Sequence, residues 1–342
     1  MVQFCSGSCS SLQMEVEDRA ELCFPQLLNT SCRKLTTPWS EAVLLHIVLS
    51  SVSVLTVFLN LLVIISVSHF RQLHTPTNIL LLSLAVSDFL VGLLLMPGQI
   101  LRITTCWFLG DVMCSLYTYL SYLLTATSIG DMVLISIDRY VAICDPLHYP
   151  TRVTVRRVKL CACLCWLCSV LYNIIFIKDD LTEPGRHNSC YGQCVFASDY
   201  TAGAVDIVVT FIVPITAIIV LYMRVFVVAM SQARAMRSHI TAVTLQCSVT
   251  VMTKKSELKA ARTLGVLVLG FLMCFCPCYC VSLAGDTALS GSSASYLIYL
   301  FYFNSCLNPV IYALFYPWFR KSVKLIVTLK ILQPGSCEAN VQ

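Results

Sequence analysis

Seven stretches of this chain are apolar for long enough to cross a bilayer, whose hydrocarbon is about 30 Å thick. They run at roughly 42–67, 78–101, 114–138, 158–177, 202–228, 263–284 and 294–315. Hydrocarbon offers nothing to a bare peptide group, so stretches of this length and composition must satisfy their own backbone as helices. Charged residues are only 12% of the chain and hydrophobic ones 57%, where a soluble domain carries about 25% charge. The expectation is an all-α membrane protein, a seven-transmembrane helix bundle over 42–315. A leader (1–41) precedes it and a short amphipathic eighth helix opens the tail (316–342).

Seven crossings put the two chain ends on opposite faces, and lysine and arginine say which face is which. With the amino terminus outside, 17 basic residues lie in or beside cytoplasmic segments and 6 outside, among them Arg102 and Lys178. The net charge of +5 thus reflects topology and does not point to nucleic acid. Asp179, Asp180, Asp199 and Asp286 fall on the outer side, where they favour cations. The first 41 residues are polar and the first apolar run is of spanning length, so no cleavable signal peptide is expected.

Most of the 20 cysteines lie inside apolar runs, where they serve as small hydrophobes. Cys5, Cys9, Cys23, Cys32, Cys114, Cys190 and Cys194 fall outside, in an oxidising compartment, and are disulfide candidates. No Cys/His set has zinc-like spacing. Asn29-Thr30-Ser31 is an N-glycosylation acceptor if luminal.

Inside the spans, polar residues are costly enough to be informative. Asp88 closes Leu84-Ala85-Val86-Ser87-Asp88, and Ser128, Asn304, Ser305 and Asn308 could join it either around a small hard cation such as sodium or as a polar knot without an ion. Asp138-Arg139-Tyr140 ends the third span, a charged latch 18 residues below Ser121, about 27 Å along a helix. Glu257, opening the sixth span, is a natural partner for Arg139. Pro97, Pro214, Pro277 and Pro309 interrupt the second, fifth, sixth and seventh spans and should bend them. Tyr222 follows Pro214 by two turns. The tail Phe315-Tyr316-Pro317-Trp318-Phe319-Arg320-Lys321 mixes aromatic and basic residues, as a helix lying on the inner leaflet does.

Asn60, the box ending in Asp88, Cys114, Asp138-Arg139-Tyr140, Trp166, Pro214, Pro277 and Asn308-Pro309-Val310-Ile311-Tyr312 together resemble the rhodopsin-like G-protein-coupled receptors. The run from Asn304 to Phe319, the leader from Cys23 to Cys32 and the loop Cys190-Tyr191-Gly192-Gln193-Cys194 are similar to the trace amine-associated receptors. That resemblance implies disulfides Cys114–Cys194 and Cys32–Cys190, a cavity lined by Tyr122, Thr125, Thr210, Phe275, Tyr279 and Tyr302, a chemosensory role in olfactory neurons, and a stimulatory heterotrimeric G protein as partner. It also implies a switch running through Pro214, Ile129 and Phe271 around Phe275 to Tyr222, Asn308, Pro309, Tyr312 and the latch.

Two positions depart from the pattern. Aminergic receptors carry an aspartate where this chain has Ser121, and a tryptophan where it has Phe275. The missing anion reappears as Asp206, eight residues before Pro214 in an otherwise apolar stretch and level with Ser121. Either it pairs with a ligand ammonium, as in the fish receptors with this inverted arrangement, or it is structural, protonated or paired with a cation such as Lys178. The expectation is a plasma-membrane receptor for a small organic amine. A receptor for a non-amine ligand and a transporter are the rivals, and the hydropathy has no internal repeat to favour the latter. Asp131, seven residues before Asp138, has no assigned role.

Overall fold

The computed structural model describes residues 20–27, 29–35, 39–196, 200–240, 265–281 and 291–341. Among them are seven bundle helices and an eighth that follows. They are α1 (Trp39–His69), α2 (Pro76–Leu90, then a π-helical Val91–Leu95, then Met96–Thr104), α3 (Asp111–Cys144) and α4 (Val155–Phe176). After them come α5 (Tyr200–Ile207, a π-helical Val208–Ile212, then Val213–Ile240), α6 (Gly265–Val281), α7 (Gly291–Phe315) and α8 (Pro317–Val327).

Each helix shows lipid one face and the bundle another. On α1 the buried face is Ser53, Thr56, Asn60, Val63 and Val67, while Val54 and Phe58 are exposed. The three- and four-residue steps place the buried set on one stripe. Small and polar residues on that stripe let helices approach closely: Ser53 donates to the Gly92 carbonyl of α2 at 2.8 Å, and Asn60 donates to the Ser305 carbonyl of α7 at 2.9 Å. In α6 the stripe is Leu267, Val268, Phe271, Cys274 and Phe275. Its close approach to α5 needs Gly265, because the space a β-carbon would fill there is taken by the Tyr222 hydroxyl.

The bends expected at Pro97 and Pro214 take a specific form. In both spans a five-residue π-helical stretch, Val91–Leu95 or Val208–Ile212, ends just before the proline. A proline has no N–H and its ring crowds the carbonyl four residues back. Widening the preceding turn accommodates both, and it also rotates what lies beyond. α8 starts on Pro317 and buries Trp318, Phe319 and Ser322, leaving Arg320 and Lys321 exposed.

A small β element adds to the all-helical expectation. β1 (Ala20–Leu22) pairs antiparallel with β2 (Arg33–Leu35), with Glu21 opposite Lys34. Among the described residues three disulfides secure this end of the bundle: Cys114–Cys194, Cys32–Cys190 and Cys23–Cys106. The first two are those implied by the resemblance. Cys106, in the α2–α3 loop, was not among the sequence candidates. The backbone reinforces the net, since Cys32 N–H donates to the Tyr191 carbonyl at 2.9 Å and Tyr191 N–H to the Thr30 carbonyl at 2.8 Å.

At the crossing point sits Gly192, with φ of +101°, a region that L side chains rarely adopt. A β-carbon there would lie 3.0 Å from the Cys23 β-carbon. Gly192→Ala should therefore cost about 1–3 kcal/mol and leave a fraction of Cys23 and Cys106 unpaired. Thiol labelling of surface-expressed protein measures this, and labelling equal to wild type would show that the crossing relaxes freely.

Candidate ligand cavity and switch

Beneath the disulfide net, residues of α2 to α7 line one cavity. Its wall includes Ser121, Tyr122, Thr125, Asp206, Thr210, Tyr279 and Tyr302. Phe275 is not in that wall. It lies one layer beneath, its ring 4.3 Å from Phe271 and 4.2 Å from Phe301, and Phe301 of α7 reaches the cavity in its stead.

Asp206 is 5% exposed, although Val205, Val208 and Val209 beside it face outwards. Its carboxylate accepts a hydrogen bond from the Tyr172 hydroxyl of α4 at 3.0 Å. Among the described residues no lysine or arginine, Lys178 included, comes within 4.0 Å of it. One turn on, Thr210 returns its hydroxyl to the Asp206 carbonyl at 2.7 Å and so keeps its own polar group satisfied. Aromatic rings complete the surroundings. Tyr172 stacks on Phe176, Tyr122 packs against Phe176 and Phe196, and Tyr279 lies face to face with Phe211.

Across the cavity, Ser121 and Tyr302 share a hydrogen bond of 2.8 Å, and the Tyr117 hydroxyl donates to Gln99 at 3.1 Å. Arg102, counted from sequence as an outer-loop cation, is instead in the last turn of α2 and lines the cavity. No periodicity marks it. It falls at the edge of an apolar run, where a loop and a last helical turn look alike.

At the other end of α3, Asp138 is 3% exposed and receives donors on both oxygens. Arg139 lies 2.6 Å away on one oxygen, joined there by Thr77 at 2.8 Å, and Tyr149 donates to the other at 2.8 Å. Arg139 also donates to the Thr77 hydroxyl. Burial first, and then the adjacent carboxylate, push the Tyr149 phenol up, so it remains a donor at neutral pH. Arg139 is therefore latched to its own neighbour and to α2. Glu257, its expected partner, lies outside the described residues. Tyr140 packs with Ile143 of α3 and with Val225 and Ala229 of α5, while Ile129 and Phe271 are fully buried between cavity and latch. Pro214 is half-buried.

The sequence model of the 7 transmembrane receptor (rhodopsin family) matches residues 59–312. The chain is 37% identical over 345 residues to trace amine-associated receptor 13c of Danio rerio, covering 96% of this chain and 98% of that protein. It is 38% identical to trace amine-associated receptor 7e of Mus musculus (94% and 92% covered) and 36% identical to trace amine-associated receptor 6 of Pan troglodytes (98% and 98%). The chain belongs to the trace amine-associated receptors. It is thus a receptor and not an enzyme, a multi-pass plasma-membrane protein whose partners are a small ligand and a G protein. The transporter reading falls with that.

Midway between cavity and latch, the receptor carries the polar residues singled out around Asp88. Asn308 donates to one Asp88 oxygen at 2.8 Å, and Ser87 and Ser128 lie 3.1 Å apart. Asn304 and Ser305 are buried nearby in the sequence of α7. Among the described residues the second Asp88 oxygen and the Asn60 side-chain oxygen are buried with no hydrogen-bond partner, as is the Tyr312 hydroxyl beyond Pro309. Orphaned acceptors call for a counterpart, and an all-oxygen set suits a hard cation, so the residues fit sodium.

Asp131 acquires a role. The Ser83 hydroxyl of α2 lies 3.0 and 2.9 Å from its two oxygens, and Trp166 of α4 donates to the same hydroxyl at 3.0 Å. A serine has one proton to give and two lone pairs. The one Ser83 proton therefore serves both carboxyl oxygens as a shared, three-centre bond. Asp131→Asn, which keeps an acceptor for that proton, should change stability by less than about 0.5 kcal/mol. Asp131→Ala strands Ser83 and should cost about 1–3 kcal/mol. Thermal melts of detergent-solubilised receptor separate them, and equal losses would show that the charge itself is required.

Proposed function

We propose that this receptor senses small organic amines from outside the cell, holds their ammonium on Asp206 and signals through a stimulatory heterotrimeric G protein. The observation that carries the reading is a buried carboxylate in a cavity wall with no basic side chain beside it among the described residues. An anion so placed is costly until a cation arrives, and the Tyr172 hydroxyl bonds to only one of its oxygens. Tyr122 and Tyr279 add aromatic faces, each worth about 0.5–2 kcal/mol towards an ammonium. The amine in the relatives' names supports the same class of ligand. A chemosensory role in olfactory neurons belongs to this reading and rests on the resemblance to the fish receptors.

Ligand binding shifts the receptor only through contacts that differ between its states. An ammonium on Asp206 draws in α5 above its π-helical stretch. Pro214, Ile129 and Phe271 then repack around Phe275, the end of α6 nearest Tyr222 swings outwards, and Arg139 leaves Asp138 and Thr77 for the G protein. Asn308, Pro309 and Tyr312 transmit the change along α7. A sodium ion held by Asp88, Ser128, Asn304 and Asn308 would neutralise the buried carboxylate and favour the resting packing. The leader lies outside, carrying sugar on exposed Asn29, and α8 rests on the inner leaflet.

The test is amine-evoked cAMP in cells expressing the full chain, comparing alkylamines with alcohols of equal length. Amines are expected to act and alcohols to fail. Equal potency of the two would favour a non-amine ligand, with Asp206 structural.

A further inference from the structure

A cavity built for a simple amine needs one anion, and this one holds an anion and a cation. Asp206 on α5 and Arg102 on α2 are the only charged side chains among the described residues that line it. They stand on different helices of the cavity wall, which Ser121 and Tyr302, sharing a hydrogen bond of 2.8 Å, also line. With both charges present the cavity is neutral, and a lone ammonium would leave it with a surplus positive charge.

The partners of Arg102 are neutral. Its guanidinium donates to the Cys194 carbonyl at 2.8 Å and lies 5.7 Å above the Tyr117 ring. Among the described residues no carboxylate is within 4.0 Å of it. Five N–H groups in a planar fork match a carboxylate in two-point contact, and the hydrogen bond to Cys194 uses only one of them. The fork is also held in place, since Cys194 is fixed to Cys114 and the Tyr117 ring beneath is buried. A pre-oriented guanidinium loses little freedom when an anion docks.

We infer that the preferred ligand is a zwitterion, an amine that also carries a carboxylate, with its ammonium on Asp206 and its carboxylate on Arg102. The inference rests on the reading of Asp206 given above and narrows the ligand from amines to amino acids, those with the two groups at the ends of a short chain above all. Such a ligand neutralises both walls at once. A diamine would set a second ammonium against Arg102, and Arg102 thus discriminates by repulsion as well as by attraction.

The experiment uses the full-length receptor in cAMP reporter cells, with responses normalised to surface expression. The probes are straight-chain ω-amino acids of increasing length, their methyl esters, the matching n-alkylamines and the matching diamines. At one chain length the free acid should be at least about 10-fold more potent than its ester and the alkylamine. Arg102→Gln should erase that difference, and Arg102→Glu should turn the preference to the diamine. The comparison of acid with ester needs no variant, so it stands even if Arg102→Gln fails to reach the surface. If esters and alkylamines match or exceed every acid, the inference is overturned while the amine reading survives. If neither acids, esters nor amines act, the amine reading has failed as well.

Discussion

Asp206→Asn is expected to lower amine potency by at least about 30-fold. Asparagine keeps the shape and can still accept from Tyr172, so the change isolates charge from packing. Removing one partner of a desolvated ion pair costs about 2–5 kcal/mol, which corresponds to a rightward shift of roughly 30-fold to several thousand-fold. The same cells supply a stricter test. Adding Ser121→Asp to Asp206→Asn returns the anion to the cavity on α3, where Tyr302 already donates or accepts at 2.8 Å. Part of the response should return in the double variant. A full response in Asp206→Asn alone would remove Asp206 from recognition.

Cys114→Ser is expected to have the second largest effect. A native disulfide typically contributes about 2–5 kcal/mol, and here the loss would also unfasten what Cys194 carries. Its carbonyl holds Arg102, and Phe196, two residues on, packs against Tyr122 in the cavity wall at 5.3 Å. Surface expression should fall to a small fraction of wild type, and whatever reaches the surface should respond weakly. Cys114→Ser with Cys194→Ser should be no worse than either alone, because each removes the same bond. Additive losses would mean that one of the two thiols has another role.

Much of the architecture could be read from the residues because a bilayer makes strict demands. Apolar length announces the helices, and Asp206, Asp88 and Asp138 stand out because burying a carboxylate is costly. What escaped depends on contacts between distant parts of the chain. Pro97 and Pro214 announce a disturbance, but whether a helix kinks or widens into a π turn is decided by its neighbours. Cys23 and Cys106 are brought together by the leader ribbon, whose strands of three residues are too short for any periodicity to show. Phe275 sits where the resemblance suggested a cavity contact, yet Phe301 covers it. Asp131 could be noticed as odd, but its use needs Ser83 and Trp166 from two other helices.

The three bridges that join the leader, the loops before α3 and α5, and α3 itself have a physiological corollary. A stimulus must filter through a fixed sieve instead of lifting a hinged flap, so molecular breadth limits admission before any charge is read. Mild reductants applied to living cells should slacken that mesh and coarsen the discrimination between slim and branched ligands well before the underlying bundle gives way.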